Sequence, residues 1–96
     1  MGEQAYIARE TVTIVNQRGL HARASAKFVN AVAKLPDGYT VMVAKDGTDA
    51  NGGSILGLMM LGAAKGDSVD VSVSGDDADS VLTKLTGLIK DGFGED

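Results

Sequence analysis

The chain has 96 residues, 44% hydrophobic and 23% charged, the length and balance of one soluble globular domain spanning residues 1–96 with a modest core. Its net charge of −4 and pI near 4.7 lack the basic footprint of a nucleic-acid-binding protein, so no nucleic-acid partner is expected. The absence of cysteine excludes a disulfide framework and a thiolate metal site, and no apolar run approaches the roughly 20 residues of a membrane span. Met1-Gly2-Glu3-Gln4 has neither the basic start nor the apolar stretch of a signal peptide. A cytoplasmic protein without membrane insertion is expected.

In chain order, Val12 and Ile14 alternate with Thr11 and Thr13, which predicts a first strand with β-branched residues on both faces. The period then changes. Ala22, Ala26, Val29 and Ala33 make one helical stripe with Phe28, Val32 and Leu35 beside it. Pro36-Asp37-Gly38 stops that helix, because proline cannot continue it. Tyr39, Val41 and Val43 alternate with Thr40 and Met42 as a second strand, and Asp46-Gly47 is a hairpin signal leading to a short third strand near Thr48 to Asn51.

Ser54 starts a second helix over Ile55 to Leu61, which Gly62 ends; Gly66-Asp67 then turns the chain. Val69, Val71 and Val73 alternate with Ser68, Asp70, Ser72 and Ser74, a fourth strand with one face wet. Val81, Leu82, Leu85, Leu88 and Ile89 form a last amphipathic helix, with Asp76, Asp77 and Asp79 read as acids of its first turn. Gly92-Phe93-Gly94-Glu95-Asp96 reads as a short tail. The order β-α-β-β-α-β-α predicts an α+β open-faced sandwich: a four-stranded, mainly antiparallel sheet with three helices on one face.

His21 is the only histidine and falls at the N-cap of the first helix. There the leading backbone N–H groups lack intrahelical partners and the positive end of the dipole points outward. That end disfavours an imidazolium and leaves a neutral, nucleophilic ring, while the same N–H groups receive phosphate oxygens. Arg23, in the first turn, is placed to add a charged anion contact. Gly19 is read as freeing the backbone for the approach of a large donor, and Ala22 and Ala24 leave little bulk around the ring. Two readings of His21 stand on the residues alone: a site that transiently carries a phosphoryl group, or an exposed cap with no role.

Other chemistries fit less well. A metal site is unsupported, since no second histidine or cysteine exists. The acidic loop from Asp46 to Gly53 lacks calcium-loop spacing, with Met60 standing where a bidentate acid belongs. No serine sits in a nucleophile elbow, and the four aromatic residues show no base-stacking spacing. No cofactor is implied. Ser54-Ile55-Leu56-Gly57-Leu58-Met59-Met60-Leu61 is apolar nearly all round, which reads either as core throughout or as a helix with an exposed docking face. Ser54 is its N-cap or, alternatively, a regulatory phosphosite.

Two segments carry a resemblance. Asn16-Gln17-Arg18-Gly19-Leu20-His21-Ala22-Arg23 closely resembles the active-site segment of the HPr family, the histidine phosphocarriers of the bacterial phosphoenolpyruvate-dependent phosphotransferase system. The stretch from Ser54 to Gly66 is similar to that family's regulatory-serine segment, in the same order and at the same separation. The resemblance implies that His21 takes a phosphoryl group on Nδ1 from enzyme I and passes it to a histidine of an enzyme IIA-type acceptor. It implies that Arg23 steadies the phosphate and that no small-molecule substrate is turned over. Leu20, Ala22, Lys27, Ile55, Leu56 and Met59 match docking positions, and Ser54 matches the serine that a dedicated HPr kinase/phosphorylase modifies in some members. Ala24 stands where many sugar-transport members have proline. With Ala24-Ser25-Ala26-Lys27 and Gly92-Phe93-Gly94-Glu95, it resembles the nitrogen-related, NPr-like branch, which is mainly regulatory. A monomer suits a carrier that presents one face to several partners. The alternative is a regulatory interaction module docking through Ile55, Leu56 and Met59, modulated at Ser54.

Overall fold

In a computed structural model that describes residues 6–95, the chain runs β1 (Ile7–Thr13), α1 (Ala22–Ala33), β2 (Thr40–Lys45), β3 (Thr48–Asn51), α2 (Ile55–Met60), β4 (Ser68–Ser74) and α3 (Ala78–Lys90). A 3-10 turn follows over Gly92–Gly94. The strands form one sheet in the order β1-β4-β2-β3, and every neighbouring pair is antiparallel. The sandwich read from the sequence is the one observed.

Alternation explains which face is buried. The register places Ala8 opposite Val73 and Val73 opposite Val41, and in the next rows Val71 opposite Val43 and Val12 opposite Val69. These side chains share the helix-facing side because residues two apart on a strand point the same way. All six valines and Ala8 are buried in a core completed by Ile14, Phe28, Leu58, Leu82, Leu85, Ile89 and Phe93. Burying each large side chain of this kind stabilises the fold by roughly 1.5–3 kcal/mol.

β1 begins at Ile7, four residues before the alternation read from Thr11. Glu10 hides the earlier part of the pattern. It faces α3, where Lys90 Nζ lies 2.6 Å from its carboxylate and the Thr86 hydroxyl donates to it at 3.2 Å. The Asp46-Gly47 hairpin is as read: Lys45 pairs with Thr48, and Asp46 and Gly47 both adopt positive φ, 51° and 83°, as a type I′ turn requires.

The helices correct two details. In α1 the buried residues are Ala24, Ser25 and Phe28, while Ala22 and Ala33 are exposed. Alanines carry little directional signal, and the bulk of Phe28 sets which face packs inward. In α3 only Asp79 lies in the first turn; Asp77 is the N-cap in a left-handed conformation, φ 54°, without a side-chain cap bond. Its carboxylate instead accepts from the Ser80 hydroxyl.

Candidate functional site

The loop from Val15 to His21 carries β1 into α1 and is tied at both ends. Asn16 is buried, and its Nδ2 donates to the Gly19 carbonyl at 2.9 Å. Gly19 takes φ +63°, where a Cβ would sit 2.3 Å from the carbonyl oxygen of Ala63 and 2.9 Å from Ala64 Cα. Glycine is therefore needed for this loop to pack on the segment after α2, a requirement that the sequence alone does not reveal. The next amide, Leu20 N–H, donates to that Ala63 carbonyl at 2.9 Å. Leu20 itself is buried in the core, so it supports the loop from beneath and leaves the expected docking surface.

His21 is the N-cap of α1, with extended backbone and its carbonyl accepting from Ser25 N–H at 2.9 Å. The Arg23 amide donates to the ring Nδ1 at 3.2 Å. On the other edge, Nε2 lies 3.1 and 3.0 Å from the two carboxylate oxygens of Glu95. An Nδ1 that accepts leaves the ring hydrogen on Nε2, which donates to Glu95. The lone pair of Nδ1 thus faces the unpaired amides of the helix start, and the opposite nitrogen is held by a carboxylate.

Glu95 is fixed by more than the ring. Asn16 Nδ2 also donates to its Oε1 at 3.1 Å, and Lys27 Nζ donates to the Phe93 carbonyl at 2.6 Å. The hydrogen bond from His21 is the largest influence and holds the Glu95 carboxyl below its usual 4.5; burial, next largest, opposes it, and the Asn16 bond and the nearby charge of Lys27 act with His21. The His21 and Glu95 side chains are only 18% and 15% exposed.

The sequence reading missed Glu95 by treating Gly92 to Asp96 as a tail; Asp96 lies outside the described residues. One signal was present. Phe93 is an aromatic in an otherwise polar terminus, and such a ring seeks the core. It is 3% exposed, at φ 58° between two positive-φ glycines, and this turn carries Glu95 back to the ring. Asn16, in the His21 motif, shows no role from sequence alone, and its two bonds join Gly19 to Glu95.

Among the other predicted residues, Arg23, Ala22 and Lys27 are exposed around the helix start. Ser54 caps α2, its Oγ accepting from Gly57 N–H at 2.9 Å. In α2, Leu58 is buried, as is the C-cap Leu61, while Ile55, Leu56, Met59 and Met60 are exposed, the last by 74%. The helix therefore packs on one edge and presents the rest. α2 contacts α1, and the Leu20–Ala63 bond joins the segment after it to the His21 loop, so the apolar patch and the histidine share one end of the molecule. Among the described residues, no group of three or more histidine or acidic side chains is arranged to hold a metal, and no helix is long and apolar enough to cross a membrane.

Comparison with known proteins gives a single answer. Residues 8–91 match the PTS-HPr family model, described as the PTS HPr component phosphorylation site. The phosphocarrier protein HPr of Neisseria meningitidis is 41% identical over 87 residues, covering 91% of this chain and 96% of that protein. The phosphocarrier protein NPr of Escherichia coli is 32% identical over 88 residues, covering 92% and 97%. Among solved structures, HPr from Thermoanaerobacter tengcongensis superposes with a TM-score of 0.84 at 38% identity, covering 93% of this chain and 98% of that one.

Proposed function

This chain belongs to the HPr family of phosphotransferase-system phosphocarriers, and from that premise we propose that His21 bears the phosphoryl group and that Nδ1 is the atom that carries it. A phosphocarrier is covalently modified without being an enzyme in its own right. The observation that carries the assignment is the bracketed ring: Nδ1 at 3.2 Å from the Arg23 amide, Nε2 at 3.0 Å from Glu95.

The step follows from that arrangement. The Nδ1 lone pair attacks phosphorus on the phosphohistidine of enzyme I. A new N–P bond forms as the donor's N–P bond breaks, and the donor imidazole leaves with the bonding pair. The Arg23 amide exchanges its bond to Nδ1 for one to a phosphoryl oxygen, joined by neighbouring amides at the positive end of α1. The exposed Arg23 guanidinium adds a charge-assisted contact. Positive charge developing on the ring is stabilised through Nε2–H by Glu95, the part a buried carboxylate plays beside a catalytic histidine. Glu95 is thus a positioning residue that fixes the tautomer. The return step sends the group to a histidine of an enzyme IIA-type acceptor.

The partner-facing surface in this reading comprises Ala22, Lys27, Ile55, Leu56 and Met59, and a monomer presents it to donor and acceptor in turn. Exposure of the α2 patch supports the docking role alongside the phosphoryl role. Ser54 is the candidate for modification by an HPr kinase/phosphorylase, since phosphate there sets up to about two negative charges beside that patch. Ala24 in place of proline, with the Gly92–Glu95 terminus, supports a regulatory output in the cytoplasm, as in the nitrogen-related branch, with sugar uptake as the second output. The test is incubation with phosphoenolpyruvate, magnesium and enzyme I. An acid-labile, base-stable phosphate should appear on the native chain and be lost in His21→Ala; a phosphate that persists in His21→Ala overturns the assignment.

A further inference from the structure

Between α1 and α3 lies a groove of about 470 Å³ whose lining includes Lys27, Lys34 and Lys84 around Ala31, Leu35 and Leu88. We propose that this groove binds a small anionic amphiphile: an apolar chain or ring about 10 Å long with an acidic group at each end.

Three observations converge on that chemistry. First, the volume is that of a small-molecule site, and its lining combines apolar side chains, Ala31, Leu35 and Leu88, with a few polar ones, Asn30 and the three lysines. Second, the charged part of that lining is wholly cationic on a chain of net charge −4. No acidic residue lies in α1 or lines the groove, and among the described residues Lys27, Lys34 and Lys84 form no ion pair. Third, Lys34, the C-cap residue of α1, lies seven residues beyond Lys27, about 10 Å along the helix axis at 1.5 Å per residue. Lys84 stands on α3 across the groove. Lysine stems lie along apolar surface with their ammonium groups kept in water; Lys27 Nζ, with donors left over beside its bond to the Phe93 carbonyl, would meet one acid, and Lys34 and Lys84 the other. Because Lys27 Nζ also donates to the Phe93 carbonyl, the groove adjoins the turn that brings Glu95 to His21.

The proposal is tested by titrating the isotope-labelled chain with the linear dicarboxylates from hexanedioate to decanedioate, following backbone amides by NMR. Nonanedioate, whose extended length matches the span, should give the tightest saturable shifts, centred on Lys27, Ala31, Lys34, Leu35, Lys84 and Leu88. The neutral 1,9-nonanediol should give none. Lys34→Glu and Lys84→Glu should each weaken nonanedioate about tenfold, with native spectra confirming the fold. Absence of saturation, affinity that does not vary with chain length, shifts centred on His21 and Arg23, or undiminished binding in the two lysine variants would each overturn it.

Discussion

Replacing Gly19 by alanine tests whether the His21 loop is held by close backbone packing. Gly19 has φ +63°, and an added Cβ would meet the Ala63 carbonyl oxygen at 2.3 Å. The left-handed conformation alone costs an alanine about 1–2 kcal/mol. The obstacle is backbone, which cannot rotate away as a side chain does, so relief requires the two loops to part at a further cost of about 1–3 kcal/mol. Gly62 separates the two contributions. It has φ +65°, yet a Cβ there meets nothing within 4 Å, so Gly62→Ala should show the backbone contribution alone. Urea unfolding followed by circular dichroism should place Gly19→Ala about 2–5 kcal/mol below the native chain, a large share of the ~5–15 kcal/mol typical of a domain. It should also lie at least ~1 kcal/mol below Gly62→Ala. Equal destabilisation of the two variants would refute the packing argument. Parting the loops also stretches the Leu20–Ala63 hydrogen bond, so Gly19→Ala should accept phosphate more slowly even where it is fully folded.

Phe93→Ala should cost about 3–5 kcal/mol as a buried aromatic truncation, and the His21 ring signals should shift as Glu95 loses its anchor; an unfolding midpoint within error of the native value would contradict that role. Because the native Glu95 carboxyl titrates below 4.5, the stability it contributes is present above that value and is lost as pH falls through its depressed native titration. Carboxyl NMR should therefore give a Glu95 midpoint under 4.5, and a midpoint at or above 4.5 would remove the His21–Glu95 contact from the account. Ser54→Ala should lose about 1 kcal/mol of stability as an N-cap while leaving phosphate acceptance intact, whereas Ser54→Asp should slow transfer from enzyme I; equal transfer rates in the two variants would make Ser54 a cap only. Met59→Glu should weaken binding of enzyme I, measured by calorimetry, without altering the fold, and unchanged affinity would take Met59 out of the docking surface.

How far the sequence exposed this design differs from element to element. The valine alternation of β4 and the Asp46-Gly47 turn are local patterns, and both appear where their period and turn chemistry place them. His21 and Ser54 were legible as caps for the same reason, since a cap is decided by the few residues around it. Glu10 broke the visible pattern of β1 because its partners, Thr86 and Lys90, lie 76 and 80 positions on in sequence. Glu95 was invisible in its role because its approach to His21 depends on Phe93 entering a core assembled by the whole chain. Gly19 was seen as special, but its obstacle, the Ala63 carbonyl, is brought there only by the packing of the segment after α2. Contacts that close over long sequence separations are the ones that periodicity and composition cannot register.

The most direct test of the central claim is phosphorus and proton NMR of the chain incubated with phosphoenolpyruvate, magnesium and enzyme I, each enzyme I first shown active on its own carrier. The account predicts a phosphoramidate signal with the phosphate on Nδ1 of His21, and amide shifts greatest at Ala22, Arg23 and Ala24, where the helix start receives its oxygens. A phosphate on Nε2, on another residue, or no phosphate from either sugar-branch or nitrogen-branch enzyme I would contradict it.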